Sequence, residues 1–129
     1  MSQRGKSKLF KTKSFARFSR QERISDADLI DAIRRAQKGL VDADLGGHLI
    51  KQRVARAGQG SRGGFRVIVA YEPVNRTVFL LGFAKNDKGN ITPKELESLK
   101  RIAALWLGAG DAAIEKSLKD GSLLEVKSG

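Results

Sequence analysis

The stretch from residue 64 to residue 83 reads GFRVIVAYEPVNRTVFLLGF and consists of two apolar runs separated by the turn-forming letters PVN. Valine, isoleucine and phenylalanine favour β-strands, whereas proline and asparagine favour tight turns. The pattern predicts a strand over 65–72, a turn over 73–76 and a strand over 77–83. Because a tight turn joins strands that run in opposite directions, these two strands should form an antiparallel pair.

A third strand is predicted upstream of this pair. Apolar and basic residues alternate from Ile50 to Val54, so that Lys51 and Arg53 share the face opposite the apolar side chains. Residues 57–64, which include four glycines, are predicted to form the loop that follows this strand.

Two helices carry clear start signals. Ser25 is a favoured N-cap residue, and aspartates follow it in the first turn, where the positive end of the helix dipole stabilises acids. This helix should span about 13 residues and end near Gly39. The letters TPKE over 92–95 combine an N-cap, a proline at the first helical position and a capping-box acid. The helix that they begin should end at Gly108.

The remaining elements complete the predicted order. A short strand is expected near 9–11, followed by a first helix that places Phe15 and Phe18 on one face. A last helix over 111–119 and a closing strand over 123–126 are expected at the other end. Helices segregated from an antiparallel sheet define an α+β fold.

Length and composition fit one domain. The chain has 129 residues, which is enough for a single hydrophobic core, so residues 9–129 are expected to form one domain behind a flexible basic tail at 1–8. The chain has no cysteine and one histidine, His48. Disulfides, thiolate nucleophiles and zinc–thiolate sites are therefore excluded, and no metal or cofactor is expected. No apolar run reaches the length of a membrane span and no signal-peptide block follows the basic start, so the cytoplasm is the expected compartment.

Charge is the strongest signal of function. Lysine and arginine total 25 against 14 acids, a formal net charge of +11. Such an excess favours a polyanionic partner, nucleic acid first, with an anionic membrane or an acidic protein as alternatives. A glycine-rich loop flanked by arginines also fits a merely soluble hairpin, but cations on a rigid strand favour binding. Between residues 51 and 66 there is no acid, and the cations are Lys51, Arg53, Arg56, Arg62 and Arg66.

These cations suit a particular reaction. RNA is cleaved without a metal when its 2′-hydroxyl attacks the adjacent phosphorus, which requires a base, an acid and donors for the charge that grows on the phosphate. Arginine and lysine fit the last role, whereas the acid and the base have only weak candidates: a lysine, His48 or Tyr71. His48 is more simply an exposed residue, and Tyr71, which shares a strand face with Val67 and Val69, is more simply part of the core.

Several blocks of the sequence resemble the RelE/ParE superfamily of toxins. The letters GGFR over 63–66, an apolar strand that ends in Tyr71 and the letters GFAKN over 82–86 are similar to the central sheet of that superfamily. The letters VDADLGG over 41–47, followed by IKQRVAR over 50–56, narrow the likeness to one RelE-like branch. The resemblance covers nearly the whole chain.

The resemblance implies a RelE-like α+β fold in which an N-terminal helical hairpin packs on a small antiparallel sheet, with C-terminal helices and a closing strand. It also implies a type II toxin that cleaves messenger RNA, commonly on the ribosome. The partner would be an antitoxin from the adjacent gene, expected to be a helix-turn-helix protein. Carried over residue by residue, the implied catalytic residues are Lys51, Arg53, Arg66 and Lys85. Arg56 and Arg62, the other cations of the 51–66 stretch, are expected to contact RNA, as is Asn86.

Two positions depart from the family pattern. Asn86 stands where RelE itself has a catalytic arginine, and Thr92, expected to cap a helix, is nearest to the position of the catalytic tyrosine. Lys85, or Lys51 acting with it, is the substitute that the sequence offers for proton transfer. Two other functions therefore stay open: a ParE-like inhibitor of DNA gyrase without catalysis, and a basic RNA-binding or ribosome-associated module. The sequence predicts neither the codon preference nor the oligomeric state.

Overall fold

A computed structural model describes residues 8–56, 60–84 and 91–127, which form a six-stranded sheet with helices on both faces. The elements in chain order are β1 (Lys8–Thr12), α1 (Lys13–Gln21), α2 (Asp26–Gln37), β2 (Ala43–Gly46), β3 (Leu49–Arg56), β4 (Gly60–Glu72), β5 (Arg76–Ala84), α3 (Pro93–Gly108), α4 (Asp111–Asp120) and β6 (Leu123–Glu125). The strand order across the sheet is β2-β3-β4-β5-β1-β6. The predicted α+β fold is confirmed, with one addition: β1 and β5 pair in parallel within an otherwise antiparallel sheet.

Helices α2 and α3 begin where the sequence predicts, and each start is a capping box. The Ser25 hydroxyl accepts a hydrogen bond from Asp28 N (3.2 Å), and Ser25 N donates to the Asp28 carboxylate (3.0 Å). Thr92 and Glu95 make the same exchange at α3, at 3.1 and 2.9 Å. Each box satisfies two main-chain N–H groups that the helix itself leaves without a partner. No helix in the described ranges is long and apolar enough to cross a membrane.

The sheet separates two hydrophobic cores. Helices α1 and α2 cover one face, here called the hairpin face, and α3 and α4 cover the other, here called the C-terminal face. Because side chains alternate along a strand, Ile50 and Val54 of β3 lie in the hairpin-face core and Leu49 lies in the C-terminal core. The hairpin-face core also contains Phe65, Val67, Val69 and Tyr71 of β4, as their shared parity predicts.

Strand β4 begins earlier than the sequence predicts. The glycines of 57–64 indicate a loop, yet β4 starts at Gly60, which pairs with Arg56 of β3. Strand propensity depends strongly on context, and here pairing with the neighbouring strand outweighs the low propensity of glycine. The register shifts between Val54 and Arg56, and such an irregularity lets a strand bend without losing its partner.

The buried Arg76, which the sequence places only at the end of a turn, fixes the junction between α3 and α4. Its guanidinium Nη1 donates to the carbonyl oxygens of Trp106 (2.6 Å) and Ala109 (2.8 Å). These carbonyls lie at the C-terminal end of α3, where a helix leaves acceptors without partners and where a cation is stabilised by the helix dipole. Arg76 therefore ties the first residue of β5 to the helices of the C-terminal face.

Candidate functional site

Three of the predicted cations lie together on the C-terminal face of β3 and β4. The register of these strands sets Arg53 directly opposite Arg66 and Lys51 opposite Ile68. Directly opposed residues of an antiparallel pair project from the same face, and Ile68 belongs to the C-terminal core. Lys51, Arg53 and Arg66 therefore share this face, and they are called the cation cluster below.

The main chain of Arg53 shows which kind of pair it forms with Arg66. Strand β2 does not extend as far as Arg53. The main chain of Arg53 is therefore bound by two side chains on that side and not by a strand. Arg53 N donates to the Asp42 carboxylate at 2.6 Å, and the Arg53 carbonyl oxygen accepts from the Arg35 guanidinium. Both groups point away from β4, so Arg53 and Arg66 form a non-hydrogen-bonded pair. In such a pair the Cα atoms are only about 4.5 Å apart and the side chains are at their closest.

This pair of opposed arginines is unfavourable for folding, because like charges directly opposite each other on neighbouring strands repel. Among the described residues, no member of the cation cluster forms an ion pair with a carboxylate; the ion pairs there join Lys11 to Asp26 and Arg76 to Asp111. The acid nearest in the hydrogen-bond network, Asp42, is bound to the main chain of Arg53. A bound anion would relieve the repulsion that the described residues leave uncompensated.

Arg66 also carries a buried donor that has no partner among the described residues. Its Nη1 is shielded from solvent and donates to no described acceptor, although the side chain as a whole is half-buried. A buried polar group that lacks a partner is costly, and more so when it belongs to a charged side chain. A guanidinium fork matches two oxygens of a phosphate, so Arg53 and Arg66 are residue types suited to bind one.

Gln52, which lies between Lys51 and Arg53 in sequence, holds the strand from the opposite face. It is fully buried. Its Nε2 donates to the carbonyl oxygens of Ala32 (2.9 Å) and Leu40 (3.2 Å), and its Oε1 accepts from Asp42 N (2.8 Å). Gln52 therefore joins β3 to α2 and to the segment whose Asp42 carboxylate binds Arg53. Gln52 is a polar residue on the strand face that carries Ile50 and Val54. This could have indicated its role in the sequence, because a buried amide requires hydrogen-bond partners.

Gly64 permits the close approach of β3 and β4 next to the cation cluster. A Cβ atom at this position would lie 2.6 Å from the carbonyl oxygen of Val54, a main-chain atom that cannot rotate away. Any side chain at residue 64 would therefore push the strands apart two residues from Arg66.

We expect the Gly64→Ala substitution to lower the free energy of unfolding by about 1–3 kcal/mol, the usual cost of overpacking. Chemical denaturation of the purified variant measures this change. Gly108→Ala is the matched control, because a Cβ atom at Gly108 meets nothing within 4 Å. Equal stability of the two variants would contradict the close approach described here.

The other candidate residues fall into two groups. Lys85 and Asn86 lie outside the described residues, and Arg56 and Arg62 lie on β3 and β4 with side chains outside them; the roles of all four stay predictions. Tyr71 and His48 are described. Tyr71 is buried in the hairpin-face core, where burial raises the pKa of its phenol above the ordinary value, so it serves packing as expected. His48 is exposed in the turn before β3, with a φ of 65°.

Outside the cation cluster, the described residues were searched for a metal-binding group and for a cavity that could hold a ligand. They contain no group of three or more histidine, cysteine, aspartate or glutamate side chains that could hold a metal ion. A cavity of about 720 Å³ opens between α2 and α4 beside the start of β1, and its lining includes neither Lys51, Arg53 nor Arg66. The cation cluster is therefore not part of this cavity; Arg53 is exposed, and Lys51 and Arg66 are half-buried.

The sequence was compared with models of protein families and with curated proteins. A protein-family model described as RelE toxin of the RelE/RelB toxin–antitoxin system matches residues 7–126, nearly the whole chain. No curated protein matches the sequence. The family match covers every strand and helix described above, including the cation cluster.

Proposed function

Because the chain belongs to the RelE toxin family, the toxin side of a toxin–antitoxin pair, we propose that it is an endoribonuclease that cleaves messenger RNA at the cation cluster and thereby inhibits translation. The proposed nucleophile is the 2′-hydroxyl of the RNA itself. Cleavage on the ribosome is part of the proposal, since translated messenger RNA is held there as an extended single strand.

The observation that carries this proposal is the opposed pair of Arg53 and Arg66. Two arginines that form no ion pair with any described carboxylate face each other at the closest cross-strand spacing, and like charges at that spacing oppose folding. A phosphodiester placed between them would relieve the repulsion between the two positive charges and so favour binding. Donors held by a rigid sheet need no rearrangement when negative charge grows on the phosphate in the transition state.

The reaction then requires only proton transfer. The 2′-oxygen bonds to phosphorus while the bond from phosphorus to the 5′-oxygen of the next nucleotide breaks. The 2′-hydroxyl gives up a proton and the 5′-oxygen gains one, leaving a cyclic phosphate and a free 5′-hydroxyl end. Lys51 is the described candidate for one of these transfers, because it lies on the same face two residues from Arg53, roughly 7 Å along the strand. Lys85 is the second candidate from the sequence.

Membership of the family implies a cognate antitoxin. We propose that an acidic segment of this partner covers the cation cluster, because a protein with a net charge of +11 attracts an acidic chain and associates with it rapidly. The expected source is a helix-turn-helix protein encoded by the adjacent gene.

The test is cleavage of messenger RNA by purified protein, with and without translating ribosomes. We expect cuts within the translated region, each with a cyclic phosphate on one side and a 5′-hydroxyl on the other. Folded protein that cuts in neither setting would contradict the proposal. DNA damage in expressing cells in place of translation arrest would instead favour an inhibitor of DNA gyrase. Salt-sensitive RNA binding without growth arrest would favour a binding module.

A further inference from the structure

Phe83 lies beside the cation cluster in the same row of the sheet. It is the direct partner of Arg66 on β5, just as Arg53 is the partner of Arg66 on β3. The three side chains therefore project from the C-terminal face in one line across three strands, with neighbouring strands about 4.8 Å apart. A row of two cations and one aromatic ring results.

Phe83 differs from the other phenylalanines of the chain. Phe18 is partly buried but lies on the hairpin face, where its ring fills the space left by the missing Cβ of Gly82. Phe83 packs against the C-terminal core while keeping part of its surface open. The remaining four are buried: Phe10, Phe15, Phe65 and Phe79.

We propose that Phe83 is the stacking platform for a nucleobase whose phosphate is held by Arg53 and Arg66. A nucleotide presents an anionic phosphate and a flat, mostly apolar base joined by a sugar. The row presents cationic donors and an aromatic ring in the matching order. Stacking on aromatic side chains is a common way of holding unpaired bases. This inference rests on the proposed function, since it extends the same site to the base next to the bound phosphate.

The inner side of Phe83 packs against the core, so the test must remove the aromatic face and keep the apolar contact. Phe83→Leu does this, and Phe83→Tyr retains the ring. Phe79→Leu is the matched control, because Phe79 lies on the same strand but is fully buried in the hairpin-face core. Phe79→Leu should lower the stability of the protein but leave the proposed stacking surface of Phe83 unchanged.

Affinity is measured with a fluorescent 2′-O-methyl RNA oligonucleotide, which lacks the 2′-hydroxyl nucleophile and therefore cannot be cut. We expect Phe83→Leu to raise the Kd roughly 5- to 150-fold, the range for losing one base stack. The slope of log affinity against log salt should not change, because that slope counts phosphate contacts. Phe83→Tyr and Phe79→Leu should bind like the wild type.

An oligonucleotide with the same phosphates but no bases separates stacking from general damage to the site. It should bind the wild type and Phe83→Leu equally. An unchanged Kd of Phe83→Leu for the base-bearing RNA, or an equal loss for the abasic one, would overturn the inference, as would a wild type that binds neither. A wild type that binds RNA through Phe83 but never cuts messenger RNA would leave the platform standing and remove the nuclease proposal alone.

Discussion

Replacing Arg66 with alanine is expected to lower the rate of messenger RNA cleavage by about 10²–10³-fold, the usual effect of removing one preorganised transition-state donor. Arg66 lies directly opposite Arg53 in the cation cluster, so its loss removes one of the two arginines proposed to bind the phosphate. The measurement is the rate of cleavage of translated messenger RNA by equal amounts of wild type and variant.

Two further variants make this result specific. Arg66→Lys keeps the charge and loses the two-pronged geometry, so its rate should lie between those of the wild type and the alanine variant. Arg101→Ala removes an exposed cation from α3 and should leave the rate unchanged. Arg66→Ala should also melt no lower than the wild type, because it relieves the repulsion with Arg53. Equal losses in the Arg66 and Arg101 variants would indicate that only net charge matters.

Replacing Gln52 with leucine should lower the free energy of unfolding by about 2–3 kcal/mol, because the variant leaves main-chain groups of Ala32, Leu40 and Asp42 without the partner that they have in the fold. Leucine nearly matches the volume of glutamine, so lost hydrogen bonds and not a cavity would set the cost. For a chain of this size the melting temperature should fall by roughly 10 °C.

The control for this variant is Gln37→Leu, the same substitution at an exposed position at the end of α2. It should change the free energy of unfolding by less than about 0.5 kcal/mol. If the two leucine variants unfold alike in urea, Gln52 does not hold β3 on α2 as described.

Local signals in the sequence were sufficient for most of the elements and for the shared face of Lys51 and Arg53, but not for β2 or for the start of β4 at Gly60. Successive side chains of a strand point to opposite faces. The sequence alone therefore predicts that Lys51 and Arg53 share one face of β3 and that the apolar residues share the other. The capping boxes at Ser25 and Thr92 are complete within four residues, which is why both helix starts were predicted correctly.

The local sequence patterns could not predict contacts between segments that are far apart in the chain. The opposition of Arg53 and Arg66 depends on the register of two strands, and a slip of one residue would have separated them. The partners of Gln52 come from α2 and the segment after it, and those of Arg76 lie about 30 residues further along the chain. The parallel pairing of β1 with β5 likewise joins segments that no local pattern connects.

The position of β1 has a consequence for folding of the protein. β1, the first of the described strands, lies between β5 and β6, which follow it by more than 60 and more than 100 residues in the chain. Contacts of such large sequence separation slow folding. The six-stranded sheet is therefore incomplete until residues near Glu125 have been made, and we expect the pairing of β1 with β5 and β6 to form late in folding, after β3 and β4 have paired.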